Sequence, residues 1–295
     1  KLMLILDKLK NDEVFSDAEK SIAAYFLERQ LSLEGESIRH VAQATFTSPA
    51  TVMRFCQRLG FEGYADFREA YVKENTYLSS HFQNIDSNRP FLEHDSFLTI
   101  AGKISSLYTE TVKDTLSLLT QQELDQAVRM LDQAQNIYLC SSGVYSDIAS
   151  AFRENMSKIG KTVVIPPSNT SAYFEACYRD KKNCFILVSY SGETPRNIVL
   201  AKKLRQRGIP AISITSYGSN SLAAQCGCRL YISTRQKLIS NLGNFSINLS
   251  VFYLLDTLYA GCFRLRYKTN EELKIRFSKE SEFRTSDNPI LREEP

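Results

Sequence analysis

Ser189-Tyr190-Ser191-Gly192-Glu193-Thr194-Pro195 gathers three aliphatic hydroxyls around one glycine. The apolar run Cys184–Val188 before it predicts a buried parallel strand, and Pro195 to Arg207, closing at Gly208, predicts a helix. Proline suits the first helical position, and Thr194 is a good N-cap. The hydroxyls therefore sit where a strand hands over to a helix N-terminus, with its unpaired N–H groups and the positive end of its dipole. Hydroxyls donate hydrogen bonds without a fixed charge, which suits reversible capture of a phosphate ester. The same residues also allow a Ser-rich loop that only caps a helix.

Three further features could add chemistry. The strand Asn136–Cys140 runs into Ser141-Ser142-Gly143-Val144-Tyr145-Ser146 and then a helix, a second hydroxyl-rich turn of the same kind. Glu175 follows Ser168-Asn169-Thr170-Ser171 on a short helix, where it either reaches a sugar hydroxyl or is a solvated surface acid. Glu193 and Glu154 are the remaining carboxylates that could act as a base, while Glu193 also suits a helix N-terminus. All three histidines, His40, His81 and His94, precede this region.

Alternating strands and helices position these turns. Asn136–Cys140, Thr162–Ile165, Asn183–Ser189, Pro210–Thr215 and Arg229–Ser233 read as strands separated by helices, the pattern of a parallel sheet covered on both faces. Two helices, Ser96–Leu119 and Leu124–Ala134, come before the first strand. An apolar helix from Asn244 to Phe263 follows the last, too hydrophobic all round for a solvent-facing element, so a subunit interface is expected along it. Before all this lies a helical region. The capping box Ser16-x-x-Glu19 opens a long helix, a second follows Ser37, and a third follows Ser48-Pro49 and closes at Gly60. A fourth covers Tyr64 to Lys73. The polar, aperiodic stretch from Glu74 to Asp95 reads as a linker. The expected organisation is a helical domain over 1–77, a linker over 78–95, an α/β domain over 96–270 and a tail over 271–295.

Val52, Phe55, Cys56 and Leu59 share one face of the third helix, and Ile38, Val41 and Ala42 share one face of the second. Two short helices meeting through Ala44-Thr45-Phe46-Thr47 predict helix-turn-helix geometry. Burying those faces leaves Ser48, Ala50, Thr51, Arg54 and Arg58 outward, beside Thr47 in the turn. Hydroxyls and guanidinium groups are what phosphates and guanine edges require. Residues 1–80 hold ten Lys and Arg against twelve Asp and Glu, but Ser37 to Phe61 contains Arg39, Arg54 and Arg58 and no acid. A local basic face on a near-neutral domain can dock DNA with few phosphate contacts. A helical protein-binding module is the alternative.

Composition narrows the classes. The chain has 295 residues, 43% hydrophobic and 23% charged, enough for two domains with sizeable cores. Its net charge is only +3, so bulk charge does not announce nucleic acid. No apolar run approaches the length of a membrane span, and no signal peptide is expected. The seven cysteines mostly sit in apolar patterns, as small core residues of a cytoplasmic protein. Cys226-Gly227-Cys228 lacks the partner ligands of a metal site, so no metal and no cofactor is expected.

The pattern S-x-S-G-x-T after a strand resembles the phosphosugar-binding loop of SIS (sugar isomerase) domains. In many of these the first loop reads G-x-G-x-S; here Ser141 replaces the first Gly, Gly143 keeps the second, and Tyr145 stands where Ser is common. The resemblance implies ligand contacts from Ser141, Ser142, Ser189, Tyr190, Ser191, Gly192, Thr194 and Glu175. Phe15-Ser16-Asp17-Ala18-Glu19-Lys20 and Ser48 to Phe61 resemble the N-terminal domain of RpiR-type transcriptional regulators, which join such a head to a SIS domain in this order. Phe46 departs from the pattern where Gly is frequent, and Thr47 where Val is common. The resemblance implies a non-enzymatic regulator of sugar-metabolism genes, a homodimer holding operator DNA through Thr47, Ser48, Ala50, Thr51, Arg54 and Arg58. Because SIS domains also occur in isomerases and related enzymes, a sugar-phosphate isomerase is the alternative.

Overall fold

Ser16 and Glu19 start the first long helix as their spacing predicts, the Ser16 N–H donating to Glu19 Oε2 at 2.9 Å. The computed structural model describes residues 4–10, 14–80, 84–141, 145–283, 288 and 290. The head contains α1 (Ile5–Lys10), α2 (Asp17–Arg29), α3 (Ile38–Ala44), α4 (Pro49–Arg58) and α5 (Tyr64–Ser80), with a 3₁₀ turn over Gln30–Gly35. Ser37 caps α3 by accepting from the His40 N–H, and Ser48 caps α4 by accepting from the Thr51 N–H. Phe26 centres the core, its ring 4.6 Å from Phe67 and 6.4 Å from Phe55 and from Tyr71. Val41, Ala42, Val52, Cys56 and Leu59 close around it, so the faces that periodicity selects are the buried ones.

The α3–α4 turn keeps its shape without the expected glycine. Phe46 adopts φ +51°, the left-handed conformation that glycine takes at little cost. Its ring is 97% exposed, so no burial repays the strain. Thr47 Oγ1 shares a hydrogen with Thr45 Oγ1 at 2.9 Å, and Thr45 in turn donates to the Val41 carbonyl. Phe46→Gly is therefore expected to raise the stability of the head, by up to about 1 kcal/mol. Thermal unfolding checks this; a lower melting temperature would mean the ring holds a contact worth more than the strain.

Five parallel strands form the second domain: β1 (Asn136–Cys140), β2 (Val163–Val164), β3 (Asn183–Val188), β4 (Ala211–Ser216) and β5 (Cys228–Ile232), in the order β2-β1-β3-β4-β5. The helices are α6 (Phe97–Ser117), α7 (Gln121–Gln133), α8 (Tyr145–Ser157), α9 (Asn169–Tyr178), α10 (Pro195–Arg207), α11 (Phe245–Leu265) and α12 (Tyr267–Ser281). β3 shows why both faces are covered. Cys184, Ile186 and Val188 join the core under α7, α8 and α11, while Phe185 and Leu187 join the core under α9 and α10. Gly208 ends α10 at φ +63°.

Three regions differ from the expectation. α5 runs to Ser80, through the start of the expected linker, with Glu74, Asn75 and Tyr77 buried. Glu74 is polar text with a structural partner: its carboxylate accepts from the Ile5 and Leu6 N–H groups at 2.9 and 2.8 Å. The tail begins with α12, which leaves Ile275 and Phe277 exposed and so gives no apolar stripe to read. α11 spends most of its apolar surface within its own chain, burying Ile247, Val251, Leu254, Leu255, Leu258 and Cys262. Cys56, Cys140, Cys184, Cys226, Cys228 and Cys262 are buried; burial pushes the Cys226 thiol up to about 11 and that of Cys228 to about 12. Among the described residues no helix is long and apolar enough to cross a membrane.

Candidate functional site

The strand order reverses between β1 and β3, and ligands of open parallel sheets bind outside the carboxyl ends of the strands at such a point. The turns that follow β1 and β3 are the two hydroxyl-rich loops. Ser189 to Thr194 is held from three sides. The Ser216 N–H donates to the Tyr190 carbonyl at 2.8 Å, the Leu222 N–H donates to the Gly192 carbonyl at 3.0 Å, and the Ser221 N–H donates to Glu193 Oε1 at 2.8 Å. Gly192 has φ +66°, and a Cβ there would lie 2.1 Å from Asn220 Oδ1. Only glycine permits both that conformation and that approach. Burial works against the Glu193 carboxylate, but the hydrogen bonds from Ser221 outweigh it and hold its pKa below the usual value. Glu193 thus braces the loop.

The individual hydroxyls divide. Ser189 Oγ and Thr194 Oγ1 share a hydrogen at 2.9 Å, so Thr194 is the N-cap of α10 by position, with its hydroxyl turned to Ser189. Ser191 Oγ accepts from the Glu193 N–H at 3.2 Å and also faces a cavity of about 430 Å³. That cavity is lined by Tyr190, Ser191, Ser216, Thr234, Gln236 and Lys237, with Leu238, Ile239 and Ser240 at its rim. The Tyr190 ring packs into the core and its hydroxyl donates to the Gln236 carbonyl at 2.8 Å, so its polar end is already committed. Ser141, Ser216 and Ser233 stand at or just beyond the carboxyl ends of β1, β4 and β5. Their buried Oγ atoms have no hydrogen-bond partner among the described residues. Buried hydroxyls in a polar cleft are costly unless something bonds them. Ser142 and Gly143 lie outside the described residues.

Glu175 is paired within its own helix. Its carboxylate is held by Arg179 at 2.6 and 2.7 Å, above the Tyr138 ring. Ser216, Thr234, Gln236 and Lys237 did not stand out in the sequence. Their signal is position alone, at and beyond the carboxyl ends of β4 and β5.

On the head, Ala50, Met53, Arg54 and Gln57 form one exposed stripe of α4 at helical spacing, opposite buried Val52, Phe55 and Cys56. Arg54 makes no ion pair among the described residues, so its guanidinium is available to a partner. The Ser48 and Thr51 hydroxyls share a hydrogen at 2.9 Å as part of the cap. Arg58 is engaged within the head. It grips Glu19 at 2.7 and 2.9 Å, donates to the Val14 carbonyl at 2.7 Å and lies over the Phe15 ring. It staples α4 to the start of α2. The Glu19 pKa is lowered: burial opposes this, and the hydrogen bonds from Ser16 and Arg58 overcome it. A lowered carboxylate stabilises above its unfolded value and loses that contribution as pH falls through the folded one. Arg58 is half exposed, so the contribution is at most about 1 kcal/mol after screening. Glu19→Gln should melt below the parent near neutral pH, with the gap closing as pH drops below about 4. A gap that stays constant with pH would remove Glu19 as its source.

A helix-turn-helix head joined to a parallel α/β domain with a hydroxyl loop at its switch point defines a two-domain regulator class. Residues 3–76 match the helix-turn-helix domain of the rpiR family, and residues 130–260 match the SIS domain. The chain belongs to the rpiR family of helix-turn-helix regulators that carry a SIS domain. It is 22% identical over 252 residues to the uncharacterized HTH-type transcriptional regulator YbbH of Bacillus subtilis, covering 85% of this chain and 87% of that one. It is 21% identical to a regulator of the same description from Providencia stuartii, over 90% of this chain and 91% of the other. Among solved structures, Vibrio vulnificus NanR complexed with ManNAc-6P aligns with a TM-score of 0.57 at 22% identity, over 95% of this chain and 100% of that one. The sugar isomerase domain of an RpiR transcription factor from Sphaerobacter thermophilus aligns at 0.52 and 15% identity, over 61% and 98%. At these identities the structural likeness speaks to the fold.

Proposed function

We propose that this protein is a cytoplasmic transcriptional regulator whose operator affinity responds to a sugar phosphate held at the carboxyl edge of the sheet. The observation that carries the reading is the cavity beside Ser191, with Ser216, Thr234 and Gln236 on its wall, in a chain whose α4 exposes Arg54. The phosphate sits against the Ser189–Thr194 loop and the N-terminus of α10. The sugar extends toward Ser216, Thr234 and Gln236, with Lys237 adding a positive charge at the mouth. The bound sugar phosphate of Vibrio vulnificus NanR supports this ligand class for a relative of the same fold.

The site works as a sensor. Isomerisation moves a proton next to a carbonyl and needs a base poised against the substrate. Glu193 is spent on Ser221 and Glu175 on Arg179, and the cavity wall supplies hydroxyls, an amide and a lysine. Turnover by a sugar-phosphate isomerase is the competing reading, and NMR of the sugar phosphate incubated with the protein distinguishes the two. DNA is read by α4, with Ala50, Thr51 and Arg54 toward the groove and Ser48 and Thr47 toward the backbone. Two heads on a homodimer reach successive major grooves. Phe252 and Tyr108, exposed beside Leu249 on α11 and α6, offer the apolar surface for that pairing.

The test is a thermal-shift panel of pentose, hexose and N-acetylhexosamine phosphates, including ManNAc-6P, against the free sugars and inorganic phosphate. At least one sugar phosphate should raise the melting temperature while its free sugar does not. Equal shifts from free sugars, or none from any phosphate, would contradict a phosphate-centred site.

A further inference from the structure

Three consecutive residues beyond β5 touch both the cavity and the head. Thr234 and Gln236 line the cavity wall. Gln236 is the fixed point of this segment. Its N–H and carbonyl exchange hydrogen bonds with the Tyr190 hydroxyl at 3.2 and 2.8 Å, and its amide donates to the Ser87 and Gly243 carbonyls at 2.9 and 2.7 Å. Arg235, the residue between them, turns away from the cavity. Arg235 projects into the head. Its guanidinium donates to the carbonyls of Tyr77 and, at 2.9 Å, Leu78, at the C-terminal end of α5. It pairs with Asp114 of α6 at 2.9 Å and lies 4.3 Å from the centre of the Tyr77 ring. The Tyr77 hydroxyl closes the circuit, donating to Asp114 Oδ2 at 2.9 Å and accepting from the Thr234 N–H at 2.9 Å.

The chemistry of this grip is specific. A cation on the last carbonyls of a helix satisfies orphan acceptors and the negative end of the dipole. Asp114 is fully buried and Arg235 nearly so, which makes the geometry exacting: a buried pair is favourable only while every partner is in place. α5 is the element through which the head packs on the second domain here, and a cavity of about 490 Å³ flanks Tyr77 between Tyr217, Tyr231 and α6, leaving room beside the ring. We propose that Thr234–Gln236 is the transmitter between effector and DNA: a ligand drawn onto Thr234 and Gln236 shifts Arg235, which alters its hold on the end of α5 and so the setting of the head. This rests on the effector reading above and names how that site is regulated. Arg235, Tyr77 and Asp114 are positioning residues; none lines the cavity beside Ser191 or belongs to the α4 stripe. Ligand and DNA each bias one arrangement of this junction, and their coupling is reciprocal.

The experiment measures three quantities on the full-length protein. They are affinity for the sugar phosphates of the panel, affinity for a duplex selected by the parent from a random-sequence library, and the ratio of DNA affinities with and without sugar phosphate. Tyr77→Phe removes the hydroxyl bridge and keeps the ring. Arg235→Lys keeps the charge opposite Asp114 and loses the two-pronged grip, and serves if the first variant misfolds. The expected result is that sugar-phosphate affinity and ligand-free DNA affinity each stay within about threefold of the parent, while the DNA-affinity ratio collapses toward one. A ratio equal to the parent's in a folded variant overturns the transmitter. A parent that binds DNA but shows no ratio with any sugar phosphate overturns the effector reading itself, and the transmitter with it.

Discussion

Ser191→Ala combined with Thr194→Ala is expected to abolish the sugar-phosphate-induced thermal shift while the ligand-free protein still unfolds cooperatively. Ser191 Oγ is the loop hydroxyl on the cavity wall, and Thr194 Oγ1 sets the Ser189 hydroxyl at 2.9 Å. A hydrogen bond to a charged group contributes about 1.5–3 kcal/mol, so losing that of Ser191 and releasing the Ser189 hydroxyl from its partner weakens binding by at least that much. Within the protein the Ser191 hydroxyl holds the Glu193 N–H and the Thr194 hydroxyl holds that of Ser189, a loss of about 1 kcal/mol for each bond. The loop keeps its shape through Gly192, Asn220 and Glu193, which the double variant leaves untouched. A parent-like shift in this variant would place the ligand elsewhere.

Arg54→Ala should weaken binding to a selected duplex by about 1–3 kcal/mol, roughly 5- to 150-fold, if the guanidinium reads a guanine edge. Arg54 lies on the exposed stripe with Ala50, Met53 and Gln57 and has no ion pair to lose among the described residues. Its removal is therefore close to neutral for folding, and the loss reports on DNA. Arg58→Ala behaves in the opposite way. It breaks the Glu19 and Val14 contacts and lowers stability, with DNA affinity following only through the fold. Equal operator affinity of Arg54→Ala and parent would reject docking through α4.

The sequence makes the fold readable because its signals are local. Val52, Phe55, Cys56 and Leu59 announce the buried face of α4, and Cys184–Val188 followed by Ser189–Thr194 announces strand, loop and helix within a single stretch. The ion pairs of Arg58 and Glu175 are not legible in the sequence, because spacing shows which way a side chain can point and says nothing of a carboxylate or guanidinium that awaits it from 39 residues away or one turn along the helix. Tyr77 and Arg235 are hidden for the same reason on a larger scale. They are 158 residues apart, one inside polar text and one in a loop without periodicity, and only the packing of α5 on α6 and β5 brings them together. Ser216 and Thr234 carry no motif; the parallel order of the sheet is what turns the end of a strand into the wall of a site. α12 escapes because a helix without a buried face has no stripe to detect.

A regulator of this kind must report occupancy of the cavity on DNA. The direct test is to titrate the parent protein into a selected duplex with and without the sugar phosphate that gives the largest thermal shift. NMR of that sugar phosphate with stoichiometric protein runs alongside. The expected result is a DNA affinity that changes 5- to 150-fold, corresponding to about 1–3 kcal/mol of coupling, and a sugar phosphate recovered unchanged. Steady conversion of the sugar phosphate to an isomer, with DNA affinity unmoved, would contradict it.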